Sequence, residues 1–503
     1  MRRLTKYLVL AEFVVLIAVP GTLRLLGDEG STIENRARIE APELSAGRLL
    51  DEETYAQLGA WFTDRLPLRE HAVRAGAWID YRVFRDSPSD QVIIGRGEWL
   101  FFHHELNLPC ESPVTADDVV IRVDLLDRLT RASGRDFRFL IAPDKASIYR
   151  DRVGRVLPDQ ECNLEKNDML RERMHALPVP VVPLWDQLTA AREDGLVFDP
   201  RGTHWTDLGR LVVVRELVES LAGGAWYDDD VRSRGPVDSR DELSALIGLP
   251  SDTQLEGFTI ERSGVTVVKD PSAPGRETIP YDRTTATSSD RPLVTGPVAL
   301  VRDSQFGLMQ DRFLAPFFTE AHFPHWQTLA QPEFATAISA SSTVVIQTVE
   351  REVWRRVGGS LFDRILTRLV LESTRAPLTV DAAAVRGASA SEDGWALDES
   401  SASIPLRGGA TADDRLVFVA TQGGAQIRLV DRDGAEVAAP WVDRAPPESP
   451  TRAYLWIPAG VAPDDLVVEV LGGDGIGTPV AVTLPTSRLP AAHDSQRTGG
   501  PSS

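Results

Sequence analysis

Val298-Ala299-Leu300-Val301-Arg302-Asp303-Ser304 is the stretch on which the fold of this chain turns. A short, unbroken apolar run bounded by polar residues is the pattern of a strand covered on both faces. Here it breaks at a polar triplet that ends in serine. A serine on the sharp turn after a buried strand stands at the edge of the sheet, where its hydroxyl can meet a base. Gly202-Thr203-His204-Trp205 supplies a base from another loop, just before a helical stretch from Asp207 to Leu221. Serine and histidine are the minimum set for acyl transfer: the imidazole takes the hydroxyl proton and the oxygen attacks a carbonyl. No aspartate stands two residues before the histidine, where the chain has Gly202.

Outward from this stretch, helix and strand patterns alternate. Apolar positions Tyr55, Leu58, Trp61, Phe62 and Leu66 recur at helical spacing, and after Pro67 the pattern resumes through Val73, Ala77 and Tyr81. Gln91–Gly95 and Trp99–Phe102 read as a hairpin around Arg96-Gly97-Glu98. Asp117–Ser133 reads as helix, Phe137–Ala142 as strand, a further helix runs to about Leu177, and Val179–Val182 is a strand again. Thr343–Gln347 is another buried strand. The alternation predicts an α/β fold with a doubly wound parallel sheet. Sites in such sheets gather beyond the carboxyl ends of the strands. Pro143-Asp144-Lys145, Asp303-Ser304 and Glu350-Arg351 all follow strands and are expected to share one cleft.

Residues 223–295 lack strong periodicity and are left as either an inserted subdomain or a long loop system. After about Arg375 short strands separated by Gly, Asp and Pro turns predict a C-terminal β-sandwich over 376–487, ahead of a disordered tail at 488–503. Trp395, Trp441 and Trp456 are candidates for stacking on sugars, although a tryptophan in a sandwich is more often core.

With 503 residues the chain has room for two or three domains, and its net charge of −20 argues against a nucleic-acid partner, which needs clustered Lys and Arg. Arg2, Arg3 and Lys6 precede a mostly apolar segment from Tyr7 to about Leu26. Residues 1–30 therefore read as a signal-anchor helix, with a cleaved signal peptide as the alternative. The expected localisation is single-pass in the cell membrane, with the bulk of the chain outside the cytoplasm. Cys110 and Cys162 are the only cysteines, and in an exported chain a lone pair is expected to form a disulfide rather than stay as thiols. Closing a loop of about 50 residues removes roughly 4 kcal/mol of unfolded-chain entropy. No Cys-x-x-Cys or His-x-x-x-His spacing suggests a metal, and no cofactor is expected.

Several motifs, in order, carry a resemblance. They are Glu34-Asn35-Arg36 with Pro42, Trp61 to Arg69, Ile94 to Phe101, and Pro143-Asp144-Lys145 with Tyr149. Thr203-His204-Trp205-Thr206 with Gly209, Asp303-Ser304 and Glu350-Arg351 complete the series. Together they resemble the SGNH-hydrolase-like domain of the AlgX/AlgJ alginate O-acetyltransferase family, placed here over residues 31–375. The resemblance implies Ser304 as nucleophile and His204 as general base, with the Ser304 N–H as an oxyanion donor. It departs from the family twice: Gly202 stands where the family has Asp, and Arg302 where it has Gly.

Asp199 or Asp207 is available to replace the missing aspartate, and Asp303 is either catalytic or holds the turn. Asp144, Lys145, Tyr149 and Arg302 are candidates for a substrate pocket. The implied function is acetylation of polysaccharide hydroxyls, with the acetyl group delivered by a membrane acyltransferase. The alternatives are a catalytically degenerate glycan-binding scaffold, or an acetyl esterase that uses water as acceptor.

Overall fold

The computed structural model describes residues 51–488 apart from positions 66, 68, 155–157, 178–179, 251–252, 271–281, 330, 359, 374 and 438–451, with 39–42 and a few positions before them. The expected anchor and tail lie mostly outside the described residues. The membrane-spanning localisation is corrected: among the described residues no helix is long and apolar enough to cross a membrane. Glu12, Pro20 and Arg24 interrupt the apolar run, whereas a span needs about 20 mostly apolar residues and proline removes a helical hydrogen bond.

The central sheet has seven strands: β1 (Asp136–Ala142), β2 (Val181–Val182), β3 (Val265–Lys269), β4 (Asp282–Ser288), β5 (Val294–Val301), β6 (Phe318–Phe323) and β7 (Thr343–Val349). Their spatial order is β2-β1-β7-β5-β6-β4-β3. The first five are parallel, with Ile346 of β7 opposite Phe139 on one side and Val301 on the other. Strand β7 is buried at every position but its first, as expected for a strand covered on both faces. The sheet is not wholly parallel. Strands β3 and β4 form an antiparallel hairpin on its β6 edge. They come from the region without periodicity, which also supplies the hairpin Val231–Asp238 with Gln254–Ile260.

Six helices bear on the site: α1 (Ala116–Ala132), α2 (Lys145–Ile148), α3 (Asp207–Leu221), α4 (Glu242–Leu246), α5 (Ser304–Gly307) and α6 (Glu350–Arg356). Helix α1 begins where Thr115 accepts from the Asp118 N–H at 3.1 Å while the Asp118 carboxylate accepts from the Thr115 N–H at 2.8 Å. That reciprocal cap satisfies two N–H groups the helix cannot. Its residues Val119, Val120, Val123 and Leu126 then lie buried in the main core. Beside it the Cys110–Cys162 disulfide joins helix His104–Glu111 to helix Pro158–His175.

The C-terminal region is strand-rich, as its turn pattern predicts. One sheet is centred on Arg415–Gln422, flanked by Arg452–Ile457 and Val480–Thr483. A second contains Ser401–Arg407, Leu466–Leu471 and Gln426–Asp431. Val417, Val419 and Leu455 from the first meet Ile404, Leu429 and Val468 from the second in one core. This region docks on α1: the buried Arg128 guanidinium donates to Asp414 and to the Pro485 carbonyl, each at 2.6 Å, and lies over the Trp456 ring. Trp456 is therefore buried at the junction, Trp395 packs half-buried against the inter-sheet core, and Trp441 lies outside the described residues.

Candidate active site

The turn after β5 is built by Asp303. Its backbone N–H donates to Gln347 Oε1 at 2.9 Å. Its carboxylate accepts from the N–H groups of Gln305 and Val349, each at 2.9 Å, and from Arg356 of α6 at 2.8 Å. Asp303 thus caps α5 and ties it to the end of β7, a structural use that leaves Ser304 at the first helical position. The Ser304 Oγ lies 3.2 Å from His204 Nε2.

His204 sits in a tight loop whose stem is fixed by backbone bonds between Asp199 and His204 and between Thr206 and Val197, each 3.1 Å. Trp205 is buried beneath it, and Thr206 caps α3 by accepting from the Gly209 N–H at 3.2 Å. Only glycine fits at 209, because a Cβ there would lie 2.2 Å from the Val197 carbonyl. Gln305, next to the nucleophile, donates to the Thr203 carbonyl at 3.0 Å.

The carboxylate missing from position 202 comes from elsewhere. Glu242, first residue of α4, is bonded to His204 Nδ1 and accepts from the Thr203 N–H and hydroxyl, each at 3.0 Å. A Cβ on Gly202 would meet Asp199 Oδ2 at 2.5 Å and Glu242 Oε2 at 2.6 Å. The glycine therefore leaves the space that Glu242 fills. The turn into α4 passes through Asp241 in the left-handed region, φ 43°, a conformation aspartate tolerates better than most residues. Asp199 holds that turn through the Ser239 hydroxyl and also accepts from the Arg201 N–H at 2.8 Å. Burial raises the Asp199 carboxyl above its ordinary range, against these hydrogen bonds.

Sequence reasoning missed Glu242, and nothing local marks it. Of its candidate substitutes, Asp199 supports the turn, whereas Asp207 pairs with Arg210 at 2.6 Å and accepts from the Phe258 N–H at 3.0 Å. Arg302 is buried: its guanidinium lies 4.0 Å from Asp282, and a Cβ on Gly307 would meet it at 2.8 Å. Asp144, Lys145 and Tyr149 are buried as well. Asp144 accepts from Arg351, Lys145 bonds to the carbonyls of the His204 loop, and the Tyr149 hydroxyl accepts from the Val197 N–H at 3.0 Å. Lys145 and Tyr149 thus pack against the histidine loop, whereas Asp144 is tied to the start of α6. A cleft of about 310 Å³ opens beside His204 and Glu242, lined also by Arg210, Arg240, Leu308 and Arg312. Among the described residues no cluster could hold a metal ion.

A parallel α/β sheet that presents a serine and a histidine from the loops beyond its strands has the architecture of the SGNH-hydrolase-like class. Residues 92–234 match the family described as the SGNH hydrolase-like domain of the acetyltransferase AlgX, a segment that contains His204 but neither Glu242 nor Ser304. Over 158 residues the chain is 27% identical to the probable alginate O-acetylase AlgJ of Pseudomonas aeruginosa, covering 31% of this chain and 40% of that protein. The AlgJ of Pseudomonas syringae pv. tomato is 22% identical over 178 residues, 34% of this chain and 45% of that protein. The chain thus spans less than half the length of the curated relatives it matches. Among solved structures, the O-acetyltransferase domain of Pseudomonas putida AlgJ aligns with a TM-score of 0.37 and 17% identity, over 55% of this chain and 98% of that one. AlgX of Pseudomonas aeruginosa aligns at 0.35 and 10%, over 79% and 94%. Residues 92–234 thus resemble the SGNH-hydrolase-like domain of AlgX, and part of the chain is similar to AlgJ.

Proposed function

We propose that this chain is a polysaccharide O-acetyltransferase that works through an acetyl-serine at Ser304. The observation that supports the reading best is the line of contacts from Ser304 Oγ to His204 Nε2 and from His204 Nδ1 to Glu242. In the first half-reaction His204 Nε2 takes the Ser304 proton as Oγ attacks the acetyl carbonyl of the donor. The carbonyl oxygen gathers negative charge, and the Ser304 N–H is placed to donate to it, since the first N–H groups of a helix have no partner within it. The tetrahedral adduct then collapses, the donor's leaving group departs with the proton from His204, and Ser304 is left acetylated. In the second half, a sugar hydroxyl gives its proton to His204 and attacks the acetyl-serine, releasing the acetylated glycan and restoring the serine. Glu242 accepts a hydrogen bond from Nδ1–H throughout, so the neutral imidazole presents at Nε2 the lone pair the chemistry needs. The donor, by the resemblance, comes from a partner acyltransferase.

Glu242 favours the catalytic reading over a degenerate scaffold, because the position left vacant by Gly202 is answered by another carboxylate. Transfer and hydrolysis differ only in the acceptor. Incubating the full chain with a chromogenic acetyl ester and soluble polysaccharide fragments, then weighing products by mass spectrometry, decides between them. Acetylated fragments in excess of free acetate are expected. Acetate alone would mark an esterase, and an ester left intact by folded protein would remove the enzymatic reading.

A further inference from the structure

We infer that Lys145 is a positioning residue that sets His204 and Glu242 against Ser304, an inference that rests on the acyl-transfer reading above. Lys145 follows the end of β1 and is 0% exposed. Its Nζ donates to the carbonyls of Asp199 at 3.1 Å, Pro200 at 3.2 Å and Gly202 at 2.5 Å. An ammonium has three protons, and all three are spent on one loop, the one that leads into His204. Three carbonyl dipoles aimed at one buried point repel each other unless a cation stands between them. The rings of Phe101 and Trp99, with centroids 5.2 and 5.9 Å from Nζ, close the remaining sides.

The same ammonium acts on Glu242 by two routes. Through the loop it holds Asp199, whose carboxylate fixes Ser239 in the turn that launches α4. Through space it faces Glu105 of helix His104–Glu111, Asp199 of the loop, and Asp241 and Glu242 at the start of α4. Burial pulls Lys145 down to about 8, and these carboxylates oppose the fall. Lys145 touches no reacting atom. It fixes the loop and the charge on which the two supporting members of the Ser-His-Glu set depend. A loop freed to shift by an ångström would lose the 3.2 Å approach of His204 to Ser304.

The test compares the full wild-type chain with Lys145→Met and Lys145→Gln, on a chromogenic acetyl ester, with the folded fraction fixed by circular dichroism. A proton NMR spectrum follows the His204 Nδ1–H, expected downfield because of its bond to Glu242 and assigned by its disappearance in Glu242→Gln. Lys145→Met is expected to lower kcat about 10²-fold per folded molecule, with KM unchanged and the downfield proton shifted or lost. Lys145→Gln, which keeps two N–H donors without the charge, should recover part of the rate. A kcat within about twofold of wild type, or an unshifted proton, overturns the inference. If Lys145→Met does not fold, Lys145→Gln is judged by the same two readings. Labelling of wild-type Ser304 by a sulfonyl fluoride separates the two failures. Without it the acyl-transfer reading falls and this inference with it; with it, a silent Lys145 variant refutes the inference alone.

Discussion

Replacing Ser304 with alanine is expected to lower acetyl-ester turnover about 10⁶-fold. The loss is so large because the hydroxyl is the atom that carries the acetyl group between the two half-reactions. Without Ser304 Oγ the 3.2 Å contact to His204 Nε2 is gone, and the base has no held nucleophile to activate. The fold should be indifferent, since Asp303 and not Ser304 pins the turn through its contacts with Gln305, Val349 and Arg356. The melting temperature is therefore expected to hold while an acetyl adduct, seen on the Ser304 peptide of wild type by mass spectrometry, vanishes. Turnover that survives the substitution would move the nucleophile elsewhere.

Glu242→Gln is expected to cost about 10⁴-fold in kcat with KM little changed, because an amide can donate to Nδ1 and trap the wrong imidazole tautomer. This variant also has a stability signature. Burial alone would raise the Glu242 carboxyl, but the hydrogen bond and charge of His204, with the Thr203 N–H, bring it from 4.5 to about 2. A depressed carboxyl stabilises the fold above its unfolded pKa, and that contribution is lost as pH falls from about 4.5 through about 2. Acid unfolding of wild type should therefore be steeper in that window than that of Glu242→Gln. A companion substitution locates the carboxylate in space. Gly202→Asp alone should impair the enzyme, because its Cβ would meet Asp199 and Glu242 oxygens at 2.5 and 2.6 Å. Combined with Glu242→Ala, the same aspartate is expected to recover part of the rate lost by Glu242→Ala. Full activity in Glu242→Gln would leave some other group to orient His204.

The local parts of this arrangement were readable before any coordinates. An apolar run marked β5 and placed Ser304 on its turn, and the helix after the histidine runs from Asp207 to Leu221, as its pattern predicts. Glu242 was not readable, for a physical reason. It meets His204 across 38 residues of chain, from a five-residue helix too short to show a period. The hairpin of β3 and β4 escaped for a related reason: short strands among glycine, proline and aspartate carry little alternation, and pairing at a sheet edge is decided by the partner. Lys145 read as a polar residue at a strand end, where a cleft was expected. Its burial became visible only once the loop carbonyls around it were placed.

The contact between α1 and the C-terminal strands bears on how this chain can be taken apart. Leu416, Trp456, Val482 and Leu484 belong to the same apolar core as the helices and strands around the site, and Arg128 finds both its acceptors across the junction. Cutting near residue 375 would not free a module. It would take from a buried guanidinium the two acceptors at 2.6 Å, leaving only Asp124 at 4.0 Å, and lay open an oily seam along α1. The two regions are therefore expected to melt as one cooperative unit, so a truncation meant to isolate the chemistry should yield an aggregating fragment, and any shortened form should cut only outside that seam.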